Sequence, residues 1–104
     1  MLIIGSGNIV HNIGAFAWSD PDRGPYDWAA RFEDKVRKLI RTGDFKPLVN
    51  YEQFEEDAML SVPTPEHYLP LLYVLGAGQN AKCISFPVEG IDGGSMSMLA
   101  VEMT

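Results

Sequence analysis

The sequence predicts a chain that mixes strands and helices, of α/β or α+β class, and three observations carry that reading. The opening MLII is a β-branched apolar run that ends in turn residues. Apolar residues recur at helical spacing between Trp28 and Ile40. Near the end, apolar and polar residues alternate over Ile84–Val88, and a mostly apolar run follows over residues 95–103.

Residues 1–4 read as a short buried strand, and Gly5-Ser6-Gly7-Asn8 as the turn after it. A core strand that begins at Met1 has no lead-in, so the chain is expected to be part of a longer domain. WSDPDRGP, from Trp18 to Pro25, holds prolines and a glycine among polar residues, which excludes a continuous helix and predicts an exposed loop. Trp28, Phe32, Val36, Leu39 and Ile40, with Arg31, Glu33, Asp34, Lys35, Arg37 and Lys38 between them, predict an amphipathic helix over 27–41 that stops near Gly43. Its Lys and Arg residues fall late, where the helix dipole favours cations.

YEQFEEDA offers Glu52, Glu55, Glu56 and Asp57 as conceivable metal ligands, but the solvated face of a short helix is the preferred reading. SVPTPEHYLPLLYVLGAG is the best-marked element. Thr64 suits an N-cap, Pro65 the first helical position, Glu66 the positive end of the dipole, and Gly76 or Gly78 the stop. Leu69, Leu71, Leu72, Val74 and Leu75 surround its axis, which predicts burial; Pro70 is tolerated in a first turn or marks a break. Ile84, Phe86 and Val88 predict one strand, EGIDGG a turn, and SMSMLAVEM a second strand with Met96, Met98 and Ala100 on one face, beside the first. Cys83, in the apolar stretch KCISF, reads as a buried inert thiol.

At 104 residues the chain is expected to form one segment, 1–104, with a modest core. Its net charge of −6 and lack of any Lys/Arg run argue against nucleic acid or an anionic membrane as partner and favour small molecules or proteins. The longest apolar run, Leu69–Ala77, is about half the roughly 20 residues a bilayer requires. With no secretion signal and a single cysteine, the expected location is cytoplasmic.

GSGNIV after a strand, with Asp27 about twenty residues on, suggests a dinucleotide fingerprint, but its third glycine is replaced by Val10. Asp20-Pro21 and Gly24-Pro25 also interrupt the chain before a second strand could form, so the fingerprint is set aside. The two histidines are the other candidates, because imidazole ligates transition metals and moves protons near neutral pH. His11 and His67 stand 56 residues apart, so spacing alone does not pair them. If Thr64 is the cap, His67 lies in the first helical turn, where the dipole favours its neutral, ligating form.

GSGNIVHN, PLVNY, PTPEHYLPLLYVLGA and FPVEGIDGGSMSML together resemble, in the same order, the C-terminal part of the 4,5-DOPA extradiol dioxygenase family, within the class III extradiol ring-cleaving dioxygenases. The resemblance implies an α/β fold, a partial C-terminal half with a mixed sheet flanked by helices. It implies an enzyme that opens catechol rings such as DOPA with O₂ beside a non-haem divalent metal, Fe²⁺ or Zn²⁺. His67 would be a metal ligand, and His11 a ligand or the acid/base beside the metal; Ser6, Gly7 and Asn8 would shape the wall. The family's other metal histidines lie in an N-terminal half, so His11 and His67 are the whole supply here. Glu66 or Glu89 would be a poor substitute, and weak metal binding by the isolated chain is expected. Uncovered sheet edges predict self-association, or a partner that supplies the missing N-terminal half. The competing expectation is a non-catalytic remnant or interaction domain.

Overall fold

Residues 1–104 fold, in a computed structural model, as β1 (Ile3–Ser6), a 3₁₀ turn (Ile13–Ala15), α1 (Asp27–Thr42), α2 (Lys46–Val49), a 3₁₀ turn (Tyr51–Phe54) and α3 (Glu55–Ser61). A third 3₁₀ turn (Pro65–His67) leads into α4 (Leu69–Ala77), followed by β2 (Ile84–Ser85), β3 (Ile91–Asp92), β4 (Met96–Ser97) and β5 (Ala100–Met103). The class is α/β: one sheet runs β1-β5-β2 and a hairpin joins β3 to β4. Every pairing is antiparallel, so the mixed sheet that the resemblance implies is not formed by the strands of this chain alone.

Ile3 pairs with Met103 and Gly5 with Val101, so these side chains share the face that α4 covers. Gly5 is required there, since a Cβ would stand 2.8 Å from a Val74 methyl. Ile4 points the other way and is 59% exposed; Leu2 is exposed to a similar degree and Met1 fully. The strand is therefore a half-covered edge strand and not the buried one the composition suggests, and it is shifted: it leaves out Met1 and Leu2 and takes in Gly5 and Ser6, which the sequence places in the turn.

In α1 the stripe Ala29, Phe32, Val36 and Ile40 is buried, and the helix stops where Gly43, at φ 76°, turns its N–H back to the Ile40 carbonyl. Glu33 departs from the sequence reading: it is buried beside that stripe, where it accepts a hydrogen bond from the Ser97 hydroxyl. Glu52, Glu55 and Glu56 are exposed, and Asp57 accepts two hydrogen bonds from Arg31 at 2.9 and 2.8 Å, tying α3 to α1.

The helix predicted from Pro65 breaks at Tyr68. Thr64 gives no side-chain cap, Pro65–His67 close as a 3₁₀ turn, and α4 starts at Leu69 with Pro70 in its first turn, where no helical amide is lost. Leu71 and Leu75 are buried while Leu69 and Tyr73 are exposed, because β1 and the core cover only one side of α4. Tyr68 is buried against Phe32 and Tyr51, and its hydroxyl donates to the Leu48 carbonyl at 2.6 Å.

The strand predicted over 95–103 is divided into β4 and β5, and the core takes Ser95, Ser97, Leu99, Val101 and Met103 while Met96 and Met98 stay half-buried. Serines can face inward because each hydroxyl has a partner: Ser95 donates to the Asn12 carbonyl at 2.7 Å, and Ser97 to Glu33. The strand predicted at 84–88 is only two residues long, yet it does lie beside β5. Cys83 is exposed, not buried, because strand alternation turns it and Ser85 away from the side on which Ile84 and Phe86 pack.

At the β3–β4 turn, Gly93 and Gly94 adopt φ 56° and 83°, and a Cβ on them would stand 2.3 Å from the Phe16 ring and 2.7 Å from that of Tyr26. The 16–26 loop is sewn to these glycines by Ala17 N–H to the Gly93 carbonyl, Gly93 N–H to Pro21 and Tyr26 N–H to Gly94.

Tyr68→Phe is expected to cost about 1–3 kcal/mol, since it withdraws the buried donor from Leu48, and calorimetry should show a melting temperature lower by several degrees. Burial pushes the Glu33 carboxyl above its ordinary range, opposed by the Ser97 hydroxyl and Arg37 and reinforced by Glu89. A carboxyl raised in the folded state contributes stability that is complete below its unfolded pKa and lost as pH rises through the folded one. Urea midpoints should therefore shift in favour of Glu33→Gln, relative to wild type, as pH climbs from 4.5 toward neutrality; a pH-independent difference would refute the account.

Candidate functional site

The site is built on residues 8–12. Gly7 and Asn8 both take left-handed backbone, φ 75° and 65°, which swings the chain out of β1 and across β4. Asn8 N–H donates to the Ser97 carbonyl and Ser97 N–H to Val10, each at 2.9 Å, and Asn12 N–H donates to Ser95 at 3.1 Å. His11 thus lies opposite Met96, while its own N–H donates to the Ser61 carbonyl at the end of α3 at 2.8 Å.

Asn12 locks the other end of this segment. Its side-chain nitrogen donates to the Leu60 carbonyl at 2.8 Å and its side-chain oxygen accepts from Ala15 N–H at 3.1 Å. His67 arrives from the opposite direction, in the 3₁₀ turn ahead of α4, and not inside a helix as the sequence predicts. A turn of three residues has no macrodipole to act on it. The buried Tyr68 beneath fixes that turn, and His67 is left exposed above it.

The two imidazoles stack, with ring centroids 3.7 Å apart and planes 20° from parallel. At this distance two positive charges repel strongly. The His11 pKa is lowered first by burial and then by His67, with a hydrogen bond to its own backbone and the Glu66 carboxylate opposing. Glu66 is held below its ordinary range by its own backbone N–H, then by the Thr64 side chain, with His67 and His11 adding to the effect.

Of the other residues the sequence points to, Glu89 is committed to an ion pair with Arg37. Ser6 and Gly7 line a small crevice with Pro70, Leu71 and Val74 that includes neither histidine. Asn8 has its side-chain oxygen buried without a hydrogen-bond partner. Asn12, Ser61, Ser95 and Ser97 also build the site, and no spacing in the sequence marks the three serines. Only Asn12 carried a signal, an Asx residue three positions ahead of Ala15 that caps a turn.

The pair can offer two nitrogen donors to a divalent transition metal. Such a site needs at least three protein ligands, and no His, Cys, Asp or Glu gathers with these two into a set of three. The residues of this chain therefore fit part of a metal site and do not complete one. No helix is long and apolar enough to cross a membrane.

No protein-family model matches the chain. It is 48% identical over 106 aligned positions to a 4,5-DOPA dioxygenase extradiol of Escherichia coli strain K12, with 99% of this chain and 38% of that protein covered. To the protein of the same name in Beta vulgaris it is 34% identical, covering 100% of this chain and 38% of the relative. A crystal structure of an uncharacterized Escherichia coli K12 protein superposes with a TM-score of 0.82 at 47% identity, covering 94% of this chain and 41% of that one. The chain thus spans about two fifths of the length of the relatives it matches.

His67→Ala is expected to raise the His11 pKa only part of the way to 6.5, since the like charge and the cover of the stacked ring go while burial by the rest of the fold persists. An NMR titration of the His11 ring protons reads this directly. Because the folded value is depressed, the stability linked to His11 is present above pH 6.5 and lost as pH falls through the folded pKa.

Proposed function

Because the chain corresponds to the C-terminal part of a 4,5-DOPA extradiol dioxygenase-like protein, we propose that it forms one wall of the active site of an extradiol ring-cleaving dioxygenase. This oxidoreductase opens catechol rings such as DOPA with O₂ at a non-haem divalent metal. The observation that supports the reading is the meeting of His11 and His67, 56 residues apart in the chain, at 3.7 Å.

In this reading His67 is a metal ligand, and His11 is either a second ligand or the base that takes a proton from a catechol hydroxyl. A lowered pKa leaves His11 neutral near pH 7, as both roles require. A divalent ion held by these imidazoles, Fe²⁺ or Zn²⁺, would supply Lewis-acid chemistry toward a catechol and O₂. The remaining donors come from the rest of the domain, whether in the same polypeptide or in a partner chain. The free edge of β1, with Leu2 and Ile4 exposed, and the outer side of α4, with Leu69 and Tyr73, are the surfaces on which that part would dock. A cytoplasmic setting accords with the unpaired Cys83.

A non-catalytic interaction domain of the same fold is the second reading. It is favoured by the gathering of only two donors where a metal centre needs more.

The two separate on anaerobic reconstitution with ferrous iron, followed by O₂ and DOPA, of the chain alone and mixed with the N-terminal remainder of the Escherichia coli relative. The expected outcome is weak iron uptake alone, a coloured ring-opened product in the mixture, and loss of both in His67→Ala. No iron uptake in either preparation would select the second reading.

A further inference from the structure

We infer that Glu33 on α1 is a positioning residue for the His11 imidazole, acting through the hydroxyl of Ser97; the inference rests on reading His11 as a site residue. Glu33 is 8% exposed and Ser97 fully buried. An apolar side chain at position 33 would extend the buried stripe of Ala29, Phe32, Val36 and Ile40 without the desolvation that a carboxylate suffers there. Arg37, the cation nearest in charge terms, is drawn into an ion pair with Glu89. What the carboxylate does obtain is the Ser97 O–H, whose oxygen in turn accepts the Leu99 N–H at 3.2 Å. Both capacities of the hydroxyl are thereby used, and its rotation is locked.

The segment so anchored carries the site. Ser97 bonds through its backbone to Asn8 and Val10, and Met96 lies opposite His11. The run Ser95-Met96-Ser97-Met98 repeats every two residues, so its pattern alone does not select a register. A slip of one residue would set a methionine against the Glu33 carboxylate. A slip of two would bring Ser95 to Glu33 at the expense of its bond to the Asn12 carbonyl. Glu33 and Asn12 together accept only the observed register, and with it only one position of His11 against His67.

The test is the nuclear Overhauser effect between the His11 and His67 rings, read alongside circular dichroism. Ser97→Ala and Glu33→Leu, where folded, are expected to lose the effect. Glu33→Gln keeps a carbonyl acceptor and should retain it. Arg31→Ala, which cuts the separate tie of α1 to Asp57, should lower the melting temperature and leave the ring signals alone, as a purely structural contribution would. Retention of the effect in folded Ser97→Ala or Glu33→Leu, or its loss in folded Glu33→Gln, would overturn the inference. If the first two do not fold, Glu33→Gln decides. Iron uptake, measured on the same proteins, reports on the dioxygenase reading and not on this one.

Discussion

The histidine pair depends on one constraint: the backbone of residues 8–12 is gripped from two sides. Ser95 and Ser97 hold it along one edge, and Ser61, at the end of α3, holds the His11 amide from the other. An imidazole has two rotatable bonds, so once its backbone is fixed the ring sweeps little space. The partner ring is fixed differently, by a short turn seated on the buried Tyr68. Two independent anchors thus deliver two side chains from distant parts of the chain to within 3.7 Å of each other.

Only 23 of the 104 residues are buried, so apolar packing alone is a thin guarantee of this geometry. Polar ties between elements carry correspondingly more of the specification. Arg31 joins α1 to α3, Tyr68 joins the turn before α4 to α2, and Ser97 joins β4 to α1. Each joins residues at least 20 positions apart in sequence.

The local features of this fold were legible in the sequence. The 3.6-residue rhythm and Gly43 delimit α1 almost to the residue, the Pro/Gly-rich loop before it is a loop, and the acidic run is a solvated helix. What lies across from a residue is not encoded in its local pattern. Glu33 sits at a polar position of the helical pattern, yet Ser97 approaches from a strand 64 residues away. Cys83 looks buried by company, but its direction follows from the edge on which β2 pairs. Ile4 and Leu69 look like core residues because composition does not report whether anything covers them. Of the candidate site, the two imidazoles were found through motifs, while their stacking and the serine scaffold beneath them belong to tertiary contacts that no spacing rule encodes.

The Gly93-Gly94 turn has an implication for how this molecule can be altered. Both positions are filled by aromatic rings where any other residue would keep its first carbon, and both have a backbone twist that side chains resist. A side chain at either position must displace a ring and accept strained backbone, so the hairpin tip is a poor place for a fluorophore or affinity handle. Gly24 lies in the same loop with open space around it and ordinary backbone, and is the position at which new chemistry can be grafted while the histidine platform stays as it is.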